Sequence, residues 1–309
     1  MLVITPLFEA LSRKYPEARI IVGVGRWNCE VLTANPHVAE VREINAPWHN
    51  NFIVNQGLWE ALRYIYGSGE VRVLREAKAD IGIDVLGSGF GSLLMLQARI
   101  PYRLGVLGYA GGSSVAQARV SYQADEHVGR HALRFAELLG CTNLPENRPQ
   151  IYLDHPPEPH GAIVLAPGAG LAEKRWPEEY FAELAGMLKD QDIVIIGSRD
   201  DRPSAAQILE KNAKARDLTG RLTLREAFAV IAGSRLVLCN SSMAMHAAAA
   251  FRRPTIVLLG HAFTSATEHR KQWGHRETMV LGRGEKRDDI FRPEEVEVRV
   301  REVLRAELY

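Results

Sequence analysis

The sequence predicts an α/β protein made of two Rossmann-like units on mainly parallel strands. Three observations carry that expectation. Short apolar bursts alternate with helix-period segments along the chain, the pattern of strands joined by crossover helices. A proline-rich polar stretch, "LPENRPQIYLDHPPEPHG" (144–161), interrupts the alternation with five prolines in eighteen residues, which favours an extended linker. After it the alternation restarts, cleaner than before.

The elements are taken in order. Leu7, Leu11 and their neighbours predict a helix ending near Tyr15-Pro16. "ARIIVGVG" (18–25) reads as a buried strand and "VAEVREI" (38–44) as a second. Residues 56–79 read as one or two amphipathic helices with a weak point at Gly67-Ser68-Gly69. "DIGIDVLG" (80–87) is a strand, "GSLLMLQAR" (91–99) a helix and "YRLGVLG" (102–108) a strand. "HVGRHALRFAELLG" (127–140) is a helix closed by glycine. In the second half strands are expected at 162–166, 192–197, 235–239 and 254–259, with a short one at "ARDLTG". Helices are expected at 177–189, 202–214, 223–233 and 243–251, and a last one in "IFRPEEVEVRVREVL". The resulting division is 1–150, 151–292 and a closing helix at 293–309 that packs back on the first domain.

Composition removes several function classes. A chain of 309 residues, 46% hydrophobic and 24% charged, is ordinary globular material with length for two domains. A formal charge of +1 provides no overall basic field for nucleic acid. Cys29, Cys141 and Cys239 are far apart, form no zinc spacing and suit a reducing compartment. No apolar run approaches the roughly 20 residues that span a bilayer. The opening residues lack a basic n-region and a small-residue cleavage site, so no signal peptide is read. A cytoplasmic protein is the expectation, with peripheral contact at the inner face of the cytoplasmic membrane left open.

Two turns carry candidate chemistry. The strand "AIVLAP" leads into "GAGLAEKRWPEEYFAEL" (168–184). Gly168 and Gly170 permit tight backbone or close approach of a ligand. Pro177 is placed at N1 of the next helix, with Glu178 and Glu179 in its first turn. Lys174 and Arg175 then sit just before a helix N-terminus, where a cation beside free N–H groups suits a phosphate. No serine or threonine follows the lysine, so this is not a Walker A loop. A plain strand–turn–helix with a solvated lysine fits the same residues. The second turn is "LCNSSMAMHAAAAFRRP" (238–254), where Asn240, Ser241 and Ser242 fit a helix N-cap region and His246 lies one turn in. Those N–H groups could bind a diphosphate, and four alanines let the helix pack closely. A capping serine and a core histidine are the plainer alternatives. Both turns fall at strand carboxyl ends of one expected sheet, the place where open α/β sheets bind ligands.

These segments, with "IVIIGSRDD" and "DLTGRLTLREAFAVIAGSRLVL" between them, resemble glycosyltransferase family 9, the heptosyltransferases of lipopolysaccharide core synthesis. The Lys-x-Trp-Pro element, the order and the spacing carry the resemblance, and the first-half segments fall in family order too. The resemblance implies a GT-B fold, two Rossmann-like domains facing a cleft. It implies inverting transfer from a nucleotide-diphospho-sugar, typically ADP-heptose, to a lipid-linked glycan acceptor, with no tightly bound metal or other cofactor. Carried over by position, Gly168, Ala169, Gly170, Lys174, Ser242, Met243 and His246 would hold the donor diphosphate. Ser241 would face the donor sugar, and Asp200 or Asp201 the nucleoside ribose.

The residues depart from the family pattern in two places. Ser241 stands where the family has an aspartate, and Met243 where it has a glycine, which opens the way to a different sugar or a lowered activity. A degenerate, non-catalytic sugar-nucleotide-binding protein is therefore the alternative. Family members also begin with a strand and a Gly-Asp turn whose aspartate is the catalytic base, and here the chain starts just after it. The catalytic residue is therefore expected upstream of Met1, the gene starting at an internal GUG codon and lacking about 5–6 residues of strand plus its turn. In-frame DNA upstream of Met1 should encode that strand; a stop codon within the first few triplets would end the expectation.

Overall fold

The structure is a computed structural model that describes residues 1–48, 57–263, 265–282 and 290–306. Two compact units hold Val3–Asn147 and Arg148–Tyr309.

The first unit runs α1 (Pro6–Lys14), β1 (Ile21–Val24), β2 (Glu40–Glu43), α2 (Leu58–Gly67), α3 (Gly69–Glu76), β3 (Ile81–Ile83), α4 (Gly89–Gln97), β4 (Tyr102–Leu107), β5 (Ala118–Ser121) and α5 (Val128–Leu138). β1 and β2 pair in parallel, and β3, β4 and β5 form a second parallel group in that order. Leu7 and Ala10 of α1 meet Leu133 and Ala136 of α5 over Leu104, Val106 and Val120 of the sheet. The break expected near Gly67–Gly69 is real. Ser68 ends α2 and caps α3, its hydroxyl accepting from the Val71 amide at 3.2 Å. β5 was not anticipated, because "ARVS" carries too few apolar residues to signal a strand.

The second unit runs β6 (Ile163–Ala166), α6 (Glu178–Met187), β7 (Ile193–Ile195), α7 (Arg202–Lys211), β8 (Arg216–Asp217), α8 (Leu224–Gly233), β9 (Leu236–Asn240), α9 (Met243–Ala250), β10 (Thr255–Leu258), α10 (Ala266–Trp273), β11 (Thr278–Leu281) and α11 (Pro293–Ala306). Its six strands lie in the order β11-β10-β9-β6-β7-β8, all parallel. Every residue of β6, β7, β9 and β10 is buried, which is why these strands read as continuous apolar runs. α10 and β11 escaped the sequence reading: "ATEHRKQW" shows little apolar periodicity and "TMVL" is short.

Local chemistry sets the helix ends. Thr223 and Glu226 form a reciprocal capping box at α8. Ala247, Ala248 and Ala249 of α9 are fully buried, and small side chains let that helix lie close to β9, β10 and α8. α11, expected to return to the first domain, instead buries Val296, Val300 and Leu304 in the second unit's own core against α6. Its heptad-like apolar spacing needs an apolar partner, and α6 offers Phe181, Leu184 and Ala185 there. Among the described residues no helix is long and apolar enough to cross a membrane.

The strand order positions a site. From β6 the chain moves outward to β7 and β8, then crosses back to β9 and continues to β10 and β11. The direction reverses between β6 and β9. Their carboxyl ends therefore diverge into the crevice where doubly wound sheets take ligands.

Candidate functional site

The loops after β6 and β9 flank that crevice, and one buried side chain joins them. Asn240, the last residue of β9, is fully buried. Its carbonyl oxygen accepts from the Trp176 amide at 2.9 Å, and its amide nitrogen donates to the Pro167 carbonyl at 2.6 Å. The sequence placed Asn240 at a helix cap; the structure turns it sideways to hold both ends of the glycine loop. Trp176 is itself 1% exposed, and its indole N–H donates to the Phe291 carbonyl at 2.9 Å. The segment carrying Lys174 is thus anchored from below on both sides.

The two loop glycines have different reasons. A Cβ on Gly168 would stand 2.5 Å from the Asp201 carboxylate, so the fold itself requires the glycine. A Cβ on Gly170 would meet nothing within 4 Å. Gly170 is exposed and has open space around it. Gly260, after β10, is also required: a Cβ there would lie 2.3 Å from the Arg175 carbonyl. The Ala262 amide donates to the Glu173 carbonyl at 2.9 Å and closes that contact.

Several expected ligand groups are used inside the protein. Arg175 reaches Glu178 at 3.1 Å, Asp201 at 3.1 Å and the Ala169 carbonyl at 3.3 Å. It is a brace for the loop. Asp201 is 5% exposed and accepts from both the Ser198 amide and the Ser198 hydroxyl at 2.8 Å. A carboxylate held this way faces inward, so Asp201 is removed from the ribose candidates; Asp200 next to it stays exposed. Pro177 is the N-cap of α6 and not N1, with α6 beginning at Glu178.

Lys174 ends a short 3-10 turn, Ala172–Lys174, and its ammonium lies 5.8 Å from the centre of the Phe263 ring. The Phe263 ring stands edge-on to His269 at 4.7 Å. His269 is 2% exposed, and its Nε2 lies 2.7 Å from the Ser241 hydroxyl oxygen. Lys174, Phe263, His269 and Ser241 therefore form one connected group above β9 and β10. Burial, with the Lys174 charge adding to it, pushes the His269 imidazole down to about 4. His269 was missed from the sequence because it sits in a polar helix whose contacts come from 28 residues away.

Ser242 is the N-cap of α9 in an extended conformation, and its side chain makes no capping hydrogen bond. Met243 is 38% exposed at the first helical position. The α9 N-terminus thus presents its backbone N–H groups beside Ser241. His246 lies one turn into α9 and contacts the segment after α10. Its Nδ1 lies 2.9 Å from Nε2 of His275, and its ring lies 6.1 Å from that of Trp273. Ala169, Gly170 and Lys174 lie on the loop after β6, and Ser241, Ser242 and Met243 on the turn after β9; Phe263 and His269 link Lys174 to Ser241, and His246, one turn into α9, also contacts His275.

The profile of glycosyltransferase family 9 (heptosyltransferase) matches residues 71–297. The chain is 27% identical over 308 residues to lipopolysaccharide heptosyltransferase 2 of Escherichia coli K12, covering 87% of this chain and 83% of that protein. Over 106 residues it is 38% identical to lipooligosaccharide heptosyltransferase 2 of Haemophilus influenzae, covering 32% of this chain and 31% of that one. The solved E. coli ADP-heptose lipopolysaccharide heptosyltransferase II superposes with a TM-score of 0.74 at 23% identity, covering 100% of this chain and 96% of that one. The E. coli heptosyltransferase WaaC with ADP gives 0.76 at 17% identity, covering 98% and 95%. These structures share the α/β fold with parallel sheets.

Two outcomes follow from the site's construction. Asn240→Ala leaves the Trp176 amide buried without its acceptor and should cost about 2 kcal/mol or more, read as a lowered urea midpoint; Asn240→Asp, which keeps that acceptor, should recover part of the loss. A wild-type midpoint for Asn240→Ala would contradict the anchoring role. His269 binds its proton only near pH 4 when folded, against about 6.5 when unfolded. The unfolded state then holds more protons between these values, so stability should fall as pH drops from about 6.5 to about 4, by roughly 3 kcal/mol in full. His269→Gln should flatten that slope. An imidazole titrating near 6.5 by NMR in the folded protein would refute it.

Proposed function

Because the chain belongs to glycosyltransferase family 9, we propose that this glycosyltransferase moves a heptose-like sugar from an ADP-linked donor to a lipid-linked lipopolysaccharide core acceptor. The observation that carries the reading is the placement of Lys174 and the open Gly170 on the loop after β6 and of the Ser241–Ser242 turn after the neighbouring β9, with Phe263 and His269 linking Lys174 to Ser241. A cation, accessible backbone and a helix N-terminus at one crevice suit a diphosphate. The relatives named as lipopolysaccharide heptosyltransferases, and a solved one with ADP, support the sugar, the nucleotide and the acceptor class.

In this reading a base takes the proton of the acceptor hydroxyl as its oxygen attacks the anomeric carbon, the bond from that carbon to the diphosphate oxygen breaks, the configuration inverts, and charge gathers on the departing nucleotide diphosphate. Lys174 and the α9 N–H groups stabilise that charge from fixed positions, so little reorganisation accompanies the step. Arg175, Asp201 and Asn240 keep Lys174 and Gly170 in place without touching the donor. Asp200, exposed beyond β7, is the remaining side chain for the ribose. The acceptor's lipid brings the enzyme to the cytoplasmic face of the membrane as a peripheral visitor.

The test is turnover with ADP-heptose and a lipid-linked core acceptor, following ADP release. Lys174→Ala should lower kcat by about 100-fold, the size of effect seen when one preorganised charge-stabilising group is removed. Unchanged turnover in that variant would refute the phosphate role.

A further inference from the structure

Ser241 stands at the crevice with a partner behind it. His269 is buried, its Nε2 lies 2.7 Å from the Ser241 oxygen, and its Nδ1 has no hydrogen-bond partner among the described residues. The bond between them can run either way. If the serine O–H donated to Nε2, the imidazole proton would sit on Nδ1 as a buried N–H without an acceptor. Among buried backbone groups, orphaned N–H donors are rarer than under-satisfied acceptors, and we extend the same ordering to the ring nitrogens. A bare Nδ1 lone pair is the less costly arrangement, and it leaves the single ring proton on Nε2. His269 then donates to Ser241. The serine's own proton is displaced from that direction and is free to donate toward the crevice.

We infer that His269 is a positioning residue that fixes Ser241 as a hydrogen-bond donor, and that the group it meets is a phosphate oxygen of the nucleotide-diphospho-sugar. Lys174 belongs to the same cluster, which favours an anionic acceptor over a neutral hydroxyl. This differs from the expectation that Ser241 faces the donor sugar. It rests on the proposed nucleotide-sugar reading and adds the polarity of one contact to it. The neutral state of the imidazole agrees, since both burial and Lys174 oppose its protonation.

The experiment measures affinity for ADP, UDP and GDP by calorimetry. Removing one hydrogen bond to a charged group should weaken binding about tenfold or more. Ser241→Ala and His269→Phe should each show that loss, and the double variant no more than either. His269→Gln, whose amide can donate from a similar reach, should bind close to wild type. Ser241→Asp should bind more weakly than Ser241→Ala, because a carboxylate repels phosphate. Wild-type or tighter binding by Ser241→Asp, or wild-type binding by His269→Phe, would overturn the inference. Loss of binding in Lys174→Ala with none in Ser241→Ala would overturn it while leaving the proposed function standing. A wild-type protein that binds none of the three nucleotides would overturn both. Independently of any variant, the ring-nitrogen NMR spectrum should show the Nε2–H tautomer from pH 5 to 8, and an Nδ1–H spectrum would sink the idea.

Discussion

The two hydrogen bonds of Asn240 are the constraint on which the second unit's crevice depends. β6 and β9 are neighbours in the sheet, yet the loops that leave them belong to different crossovers. Nothing in the backbone ladder ties those loops together once the strands end. Asn240 does so with one acceptor and one donor, both inside the protein where water does not compete. A serine is too short to bridge both loops, and an aspartate has no donor for Pro167. The same side chain fixes where Trp176 enters the core, and therefore where Lys174, two residues earlier, leaves it.

Around that staple the charged groups divide into two kinds. Arg175 and Asp201 face each other at the base of the glycine loop, with Ser198 donating to Asp201 and Glu178 accepting from Arg175. Lys174 instead lies over an aromatic ring beside a neutral imidazole. Two adjacent cations, Lys174 and Arg175, thus have opposite roles, one turned outward to the crevice and one engaged within the loop. The difference comes from the short 3-10 turn that ends between them, which points successive side chains in different directions.

Much of this was legible in the sequence, for identifiable reasons. The buried parallel strands are continuous apolar runs, so β6, β7, β9 and β10 stood out. The glycine loop and the serine turn were visible because glycine, proline and serine punctuate strand ends. What sequence could not show was direction. Asp201 and Asp200 are chemically identical neighbours, and only the fold decides that one faces Arg175 and the other water. His246 carried a motif-like spacing, whereas His269 carried none and yet reached Ser241. The destination of α11 was misread for a related reason: its apolar stripe says that it needs a partner but does not say which one.

The alanine run of α9 has a consequence for how this site can change over generations. With no side chain beyond Cβ at Ala247, Ala248 and Ala249, the distance from helix to sheet is set by backbone contact, so the helix acts as a spacer of fixed thickness. Its N-terminus is at the crevice, and any residue added to the buried face would lift the donor end along with it. Core volume and ligand position are then one variable. Drift in this helix cannot be neutral for binding even though none of the three alanines approaches the crevice, and adaptation to a differently shaped donor has a route that leaves every contacting residue in place.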